Sequence, residues 1–264
     1  MIDFSRFLLL TFLITASGAC NNKASRQAES SQTNSANQAA ASPQQPCTPL
    51  ETRKANSPDQ KPTFAGQTRA CAMKTGQAFD VVVLAKGLEK PWAVEPLPNG
   101  DLLVTEKPGR LRIVSANGEV KPAIAGLPEV DYGGQGGLLD VALSPGFGSD
   151  RTIYWSFSEP RQGGNATSVA RGVLSEDRSR LNQVQVIFRA LPAYDGGAHF
   201  GSRLTFDKDG MLLVTLGDRS DKKIRPQAQH MDSHMGKILR IPTDGKPAPG
   251  NPFIGQAGAL PEIW

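Results

Sequence analysis

The chain of 264 residues is long enough for one large domain or two small ones, and its 39% hydrophobic content is that of a globular sequence with polar attachments. Its 29 basic and 25 acidic residues leave a formal net charge of +4, with 6% aromatics. The charges are scattered, which excludes the clustered Lys/Arg and stacking rings of a nucleic-acid footprint.

Residues 1–19 carry Arg6, an apolar run from Phe7 to Ile14 and small residues up to Ala19. This is the layout of a secretory signal peptide. The apolar run is well short of the roughly 20 residues a helix needs to cross a bilayer, so a permanent span is not expected. Ser17-Gly18-Ala19-Cys20 looks like a bacterial lipoprotein processing box, with Ser17 where that box usually has Leu. It predicts lipidation at Cys20 and an exported, periplasmic, membrane-anchored protein. The alternative is a soluble export signal that leaves Cys20 as an ordinary thiol.

Residues 20–78 read as an anchor, a tether and a small cysteine-bearing segment. From Asn21 to about Gln45 the chain is nearly all Asn, Ser, Ala, Gln and Lys, too poor in apolar side chains to fold. If Cys20 is lipidated, Cys47 and Cys71 remain as a pair in an oxidising compartment. Their bridge would close a loop of about 25 residues, for which chain-entropy models give about 3 kcal/mol. Two free thiols are the other reading.

The domain from 79 to 264 is predicted to be all-β, with order beginning at the strand-like run Asp80-Val81-Val82-Val83-Leu84-Ala85. No stretch has clean helical periodicity. Pro98-Asn99-Gly100-Asp101-Leu102-Leu103-Val104-Thr105 recurs as Lys208-Asp209-Gly210-Met211-Leu212-Leu213-Val214-Thr215. Each copy leads to a glycine-led basic strand, at Gly109 and at Gly236, and Val141 to Phe157 repeats the order of strand, turn and strand between them. Three copies predict three blades of a propeller. Six blades would need roughly 240–300 residues, whereas 185 follow Phe79. We therefore expect three to four blades within this chain, and an architecture it does not complete alone.

Few residues carry chemistry on their own. His230 and His234 have zinc-like spacing but no predicted helix to present it, so no metal site is expected there. Gly133-Gly134-Gln135-Gly136-Gly137 lacks the following Lys-Ser/Thr and helix of a phosphate loop. It reads as a tight crossing, or as backbone that lets a ligand come close. His199, just ahead of a predicted strand, is placed to accept a proton near neutral pH or simply to hydrogen-bond a loop. Asp218-Arg219 is a salt-bridged strand end or part of a polar rim. Asn165-Ala166-Thr167 matches a glycosylation acceptor, which a bacterial-type signal makes an accidental match.

Taken in order, Gly134-Gln135-Gly136-Gly137-Leu138-Leu139-Asp140-Val141-Ala142, His199-Phe200-Gly201-Ser202-Arg203-Leu204, Leu216-Gly217-Asp218-Arg219, His234-Met235-Gly236-Lys237-Ile238-Leu239-Arg240-Ile241 and Asn251-Pro252-Phe253 resemble the quinoprotein sugar dehydrogenases. That group comprises the pyrroloquinoline-quinone-dependent aldose sugar dehydrogenases and soluble glucose dehydrogenases. The resemblance runs from about Val82 to Trp264. It implies a six-bladed β-propeller that binds the quinone with calcium over its axial channel and oxidises an aldose sugar. It further implies His199 as general base and Gln135 as a pocket residue for cofactor or substrate. Arg203 and Asp218 also match family positions, where structural pairing explains them equally well. Ala198 stands where soluble glucose dehydrogenases have aspartate, which favours the aldose-dehydrogenase branch. The family's calcium ligands and quinone-gripping basic residues follow beyond the position of Trp264. We therefore expect a site that is half present, completed in a dimer or left impaired. The alternatives are a surface-tethered propeller that binds carbohydrate or protein without catalysis, and a non-functional fragment. Neither the sugar nor the electron acceptor is identified.

Overall fold

The computed structural model describes residues 48–54, 56–57, 59–64, 67, 69–73 and 75–264. The expected signal peptide, the Cys20 anchor, the tether and Cys47 lie outside the described residues. The chain divides into two compact units, Met1–Ala78 and Phe79–Trp264.

In the first unit Pro49 pairs antiparallel with Cys71, which is disulfide-bonded. The Leu50 amide donates to the Ala70 carbonyl at 2.8 Å and the Ala72 amide to Thr48 at 2.7 Å. Arg69 donates to the carbonyls of Glu51 and Arg53 at 2.6 and 2.8 Å. With few apolar side chains buried, covalent and polar ties hold this segment.

The second unit is a succession of three antiparallel sheets. The first contains β1 (Pro91–Pro96), β2 (Leu102–Glu106) and β3 (Arg110–Val114) in that order. The second contains β4 (Leu138–Leu143), β5 (Thr152–Arg161), β6 (Gly164–Leu174) and β7 (Leu181–Arg189). The third contains β8 (Gly201–Phe206), β9 (Leu212–Leu216) and β10 (Ile238–Ile241). A single helical turn, α1 (Phe147–Asp150), and a 3-10 turn at Arg225–Gln229 are the helical pieces among the described residues. The innermost strands β1, β4 and β8 neighbour one another in turn, so the sheets fan out as the blades of a propeller sector.

The repeat read in the sequence has a common geometric cause. In the first copy the Gly100 amide closes on the Leu97 carbonyl at 2.9 Å, and in the second Gly210 closes on Asp207 at 3.1 Å. Both glycines are left-handed, with φ of 86° and 75°, as these tight turns require. Alternation then sends one face of each sheet into the space between blades. Leu103, Leu111, Leu138, Ile153, Trp155 and Phe157 fill the gap between the first two blades. Tyr154, Val169, Leu204, Val214, Leu239 and Ile241 fill that between the second and third.

One expectation is corrected. Asp80–Ala85 forms no strand; Val81, Val82 and Val83 stay largely exposed, and regular structure begins at Pro91. The run has strand composition, but no sheet edge among the described residues hydrogen-bonds to it. None of the helices described is long and apolar enough to cross a membrane.

Candidate active site

The polar candidates gather at one end of the blades, where the chain enters the inner strands β4 and β8 and leaves β9. Gln135 lies three residues before β4, His199 two before β8, and Asp218 two after β9. Gln135 clasps the opposing loop with backbone and side chain together. Its amide donates to the Gly197 carbonyl at 2.7 Å, and its Oε1 accepts from the His199 amide at 2.8 Å. Glycine makes this approach possible: a Cβ on Gly134 would lie 2.3 Å from the Gly197 carbonyl oxygen.

His199 Nδ1 lies 2.7 Å from Asp218 Oδ1. The His199 ring and the Ser220 amide hold the Asp218 carboxyl below its ordinary value of 3.8, so the carboxylate accepts and Nδ1–H donates. That tautomer leaves Nε2 with its lone pair free, on a side chain about half exposed. An imidazole oriented in this way, with Nε2 open, is placed to take a proton from a hydroxyl. The backbone here is strained to suit: His199, Ser202, Arg219 and Ser220 are left-handed, with φ of 49°, 98°, 63° and 63°.

Arg219 holds the loop from behind, and its role was not legible in the sequence. It does not pair with Asp218. Its buried guanidinium donates to the Ala198 carbonyl at 3.0 Å, to Asn165 O at 3.2 Å, to Asn165 Oδ1 at 2.5 Å and to the Gly196 carbonyl. It also lies over the Phe200 ring at 4.1 Å. Asn165 passes the restraint on through Nδ2 to Asp131 Oδ2 at 2.7 Å, and Asp131 receives the Gly133 amide at 2.9 Å. The asparagine of the glycosylation match is therefore 5% exposed, inside β6 and tied to the Asp131 and Arg219 loops. Nothing in its surroundings, Gly163-Gly164-Asn165-Ala166-Thr167-Ser168, set this asparagine apart from an ordinary turn residue.

Arg203 belongs to a different place. It donates to the fully buried Asp140 at 2.8 Å and lies over Trp92 at 5.9 Å, bridging the inner strands of the three blades. The Leu204 amide donates to the other Asp140 oxygen at 2.7 Å. Of His230 and His234, the first is exposed; the second is buried against Phe188, accepts the Leu191 amide at 3.0 Å and meets Glu262 at 3.3 Å. Among the described residues no group of three or more His, Cys, Asp or Glu could hold a metal ion.

Fold and site together define a β-propeller sector that presents a carboxylate-oriented histidine on glycine-rich loops at one end of its inner strands. The family model described as glucose/sorbosone dehydrogenase matches residues 88–264, and the chain belongs to that family. It is 41% identical over 187 residues to the aldose sugar dehydrogenase YliI of Escherichia coli, covering 70% of this chain and 50% of that protein. An uncharacterised Synechocystis protein is 45% identical over 199 residues, covering 69% of this chain and 48% of its own length. The crystal structure of the soluble E. coli aldose sugar dehydrogenase in its apo form superposes with a TM-score of 0.66 at 40% identity, over 70% of this chain and 53% of that one. The PQQ-bound aldose sugar dehydrogenase of Streptomyces coelicolor gives 0.60 at 34% identity, over 70% and 52%. The chain thus spans about half the length of the curated relatives it matches.

Proposed function

We propose that this chain carries the base-bearing side of a quinone-dependent aldose dehydrogenase site, and that the protein oxidises aldoses at the anomeric carbon in the periplasm. The observation that carries the reading is the Asp218–His199 pair at 2.7 Å, on a loop whose His199 amide donates to Gln135 at 2.8 Å. Pyrroloquinoline quinone, when bound, supplies the hydride acceptor. The residues present suit the substrate side of such a group: Gly134 and Gly217 let the loops approach closely, and the side-chain Nε2 of Gln135 has no hydrogen-bond partner among the described residues. Calcium is assigned no ligand among the described residues.

His199 Nε2 takes the proton of the anomeric hydroxyl as the C–H bond breaks. Asp218 stabilises the imidazolium that results and keeps the ring from turning. Gln135 fixes the loop that carries the base through its bond to the His199 amide and orients a sugar hydroxyl with its Nε2. Arg219 holds that loop against the blade.

The test is dye reduction by the chain lacking residues 1–19, with added calcium, quinone and a panel of aldoses. His199→Gln should lower kcat/KM by about 10²–10⁴-fold while quinone binding survives. Full turnover retained by the His199→Gln variant overturns the reading.

A further inference from the structure

A second cluster of charged side chains stands at the same end of the propeller, on the first blade. Lys90 immediately precedes β1 and Lys107 immediately follows β2, flanking blade one as His199 and Asp218 flank blade three. Both lysines converge on one aromatic ring: Lys90 Nζ lies 4.7 Å and Lys107 Nζ 5.6 Å from the centre of Tyr132. Lys90 also donates to the Tyr132 hydroxyl, and Lys107 donates to the Gly134 carbonyl at 2.7 Å. Gly134 is the neighbour of Gln135, so the cluster adjoins the site loop directly. The Lys90 backbone is left-handed, φ 49°, and is held by the Lys107 amide donating to its carbonyl at 3.1 Å.

Two ammonium groups drawn to one ring, 4.7 and 5.6 Å from its centre, gather positive charge beside the site loop. Lys121, Lys208 and Lys246 each have a counter-ion, in Glu119, Asp209 and Asp244, whereas Lys86, Lys222 and Lys223 stand exposed without an ion pair among the described residues. Neither Lys90 nor Lys107 has a carboxylate within ion-pair distance among the described residues. The nearby acids are already engaged. Glu89 and Glu106 both pair with Arg110, at 2.8 and 2.7 Å, and Asp131 is held by Gly133 and Asn165. The ring partly offsets the crowding. What remains is a set of unspent donors, on two ammoniums and a phenol, that an anionic oxygen group would satisfy.

The geometry points to a carboxylate-binding subsite formed by Lys90, Lys107 and Tyr132 on the blade-one side of the site, and hence to sugar acids, aldoses that carry a carboxylate, as a preferred substrate class. This rests on the proposed aldose oxidation, because it needs the sugar's anomeric end to lie at His199 while its carboxylate reaches blade one.

Equilibrium binding tests it without quinone or turnover, so its failure and that of the dye-reduction test are separate events. D-glucuronate and D-glucose are titrated into the chain lacking residues 1–19 by calorimetry or saturation-transfer NMR. At 10 mM salt, glucuronate should bind about tenfold more tightly than glucose, and the ratio should shrink toward one at 0.5 M salt as the charges are screened. Lys90→Asn, chosen because asparagine tolerates a left-handed backbone, should cut the ratio to about threefold or less. Tyr132→Phe, which keeps the ring and removes the phenol, should cut it less. Equal affinity for the two sugars, a preference that survives Lys90→Asn at low salt, or no binding of either sugar overturns the proposal.

Discussion

The gap between the first two blades and the loop end that bears His199 are built on opposite rules. In the gap, Leu103, Leu111, Leu138, Ile153, Trp155 and Phe157 are wholly buried, and none of the residues of that core has a left-handed backbone. Any sequence with alternating apolar residues of suitable volume could fill such a space. At the loop end, four non-glycine residues between His199 and Ser220 are left-handed, and directed polar bonds hold the loops. The core supplies the stability that lets the strained end exist. Damage to the first should therefore appear as lost stability with the site intact, and damage to the second as lost geometry with most of the stability intact.

The largest expected effect tests the first half of that contrast. Trp155 is fully buried and pairs in register with Val141 and Ala170 on either side. Trp155→Ala should cost about 3–5 kcal/mol in urea unfolding through lost burial and the cavity left behind. In the fraction that remains folded, the imidazole resonances of His199 should keep their wild-type shifts, since Trp155 lies in the blade gap and not at the loop end. A changed His199 environment would mean that core and site are mechanically coupled.

The opposite substitution is Gly217→Ala. A Cβ there would sit 2.0 Å from the His199 carbonyl oxygen, which is backbone and cannot swing aside. The loop must move, at about 1–3 kcal/mol. The His199–Asp218 bond should be lost from the NMR spectrum as a missing downfield Nδ1 proton, although the blades still unfold cooperatively. Unchanged His199 signals would show that the loop is more compliant than its crossed hydrogen bonds suggest.

The same contrast explains what the sequence disclosed. Blade strands follow local alternation and turn chemistry, so the copies at Pro98 and Lys208 were enough to place β2 and β9. His199, Gln135 and Asp218 were legible because glycine-rich loops surround them and match a known pattern. Arg219 and Asn165 were hidden because they meet across 54 residues of chain, a separation that no local pattern encodes. The run at Asp80–Ala85 misled for the converse reason: strand composition is local, whereas a strand also needs a neighbour.

The smallest predicted effect concerns a buried histidine outside both regions. His234 is pushed below its ordinary 6.5 chiefly by burial, against the opposing pull of Glu262 and reinforced by the charge of Lys237. Its Nδ1 accepts the Leu191 amide, a bond that only the neutral ring can take part in. A folded-state value below the unfolded one means that the unfolded chain binds the proton first as pH falls. His234 therefore leaves stability complete above pH 6.5 and erodes it as the pH drops from there through the lowered folded-state value. The hydrogen-bonded carboxylates Asp177, Asp207 and Asp218, all held below their ordinary 3.8, lose their contribution only in more acid solution and do not confuse this window. Urea midpoints measured between pH 7.5 and 5.5 should fall in the wild type. They should stay nearly level in His234→Asn, whose side-chain oxygen can still accept the Leu191 amide but cannot be protonated. Equal slopes in the two proteins would assign the loss to other groups and leave His234 as packing alone.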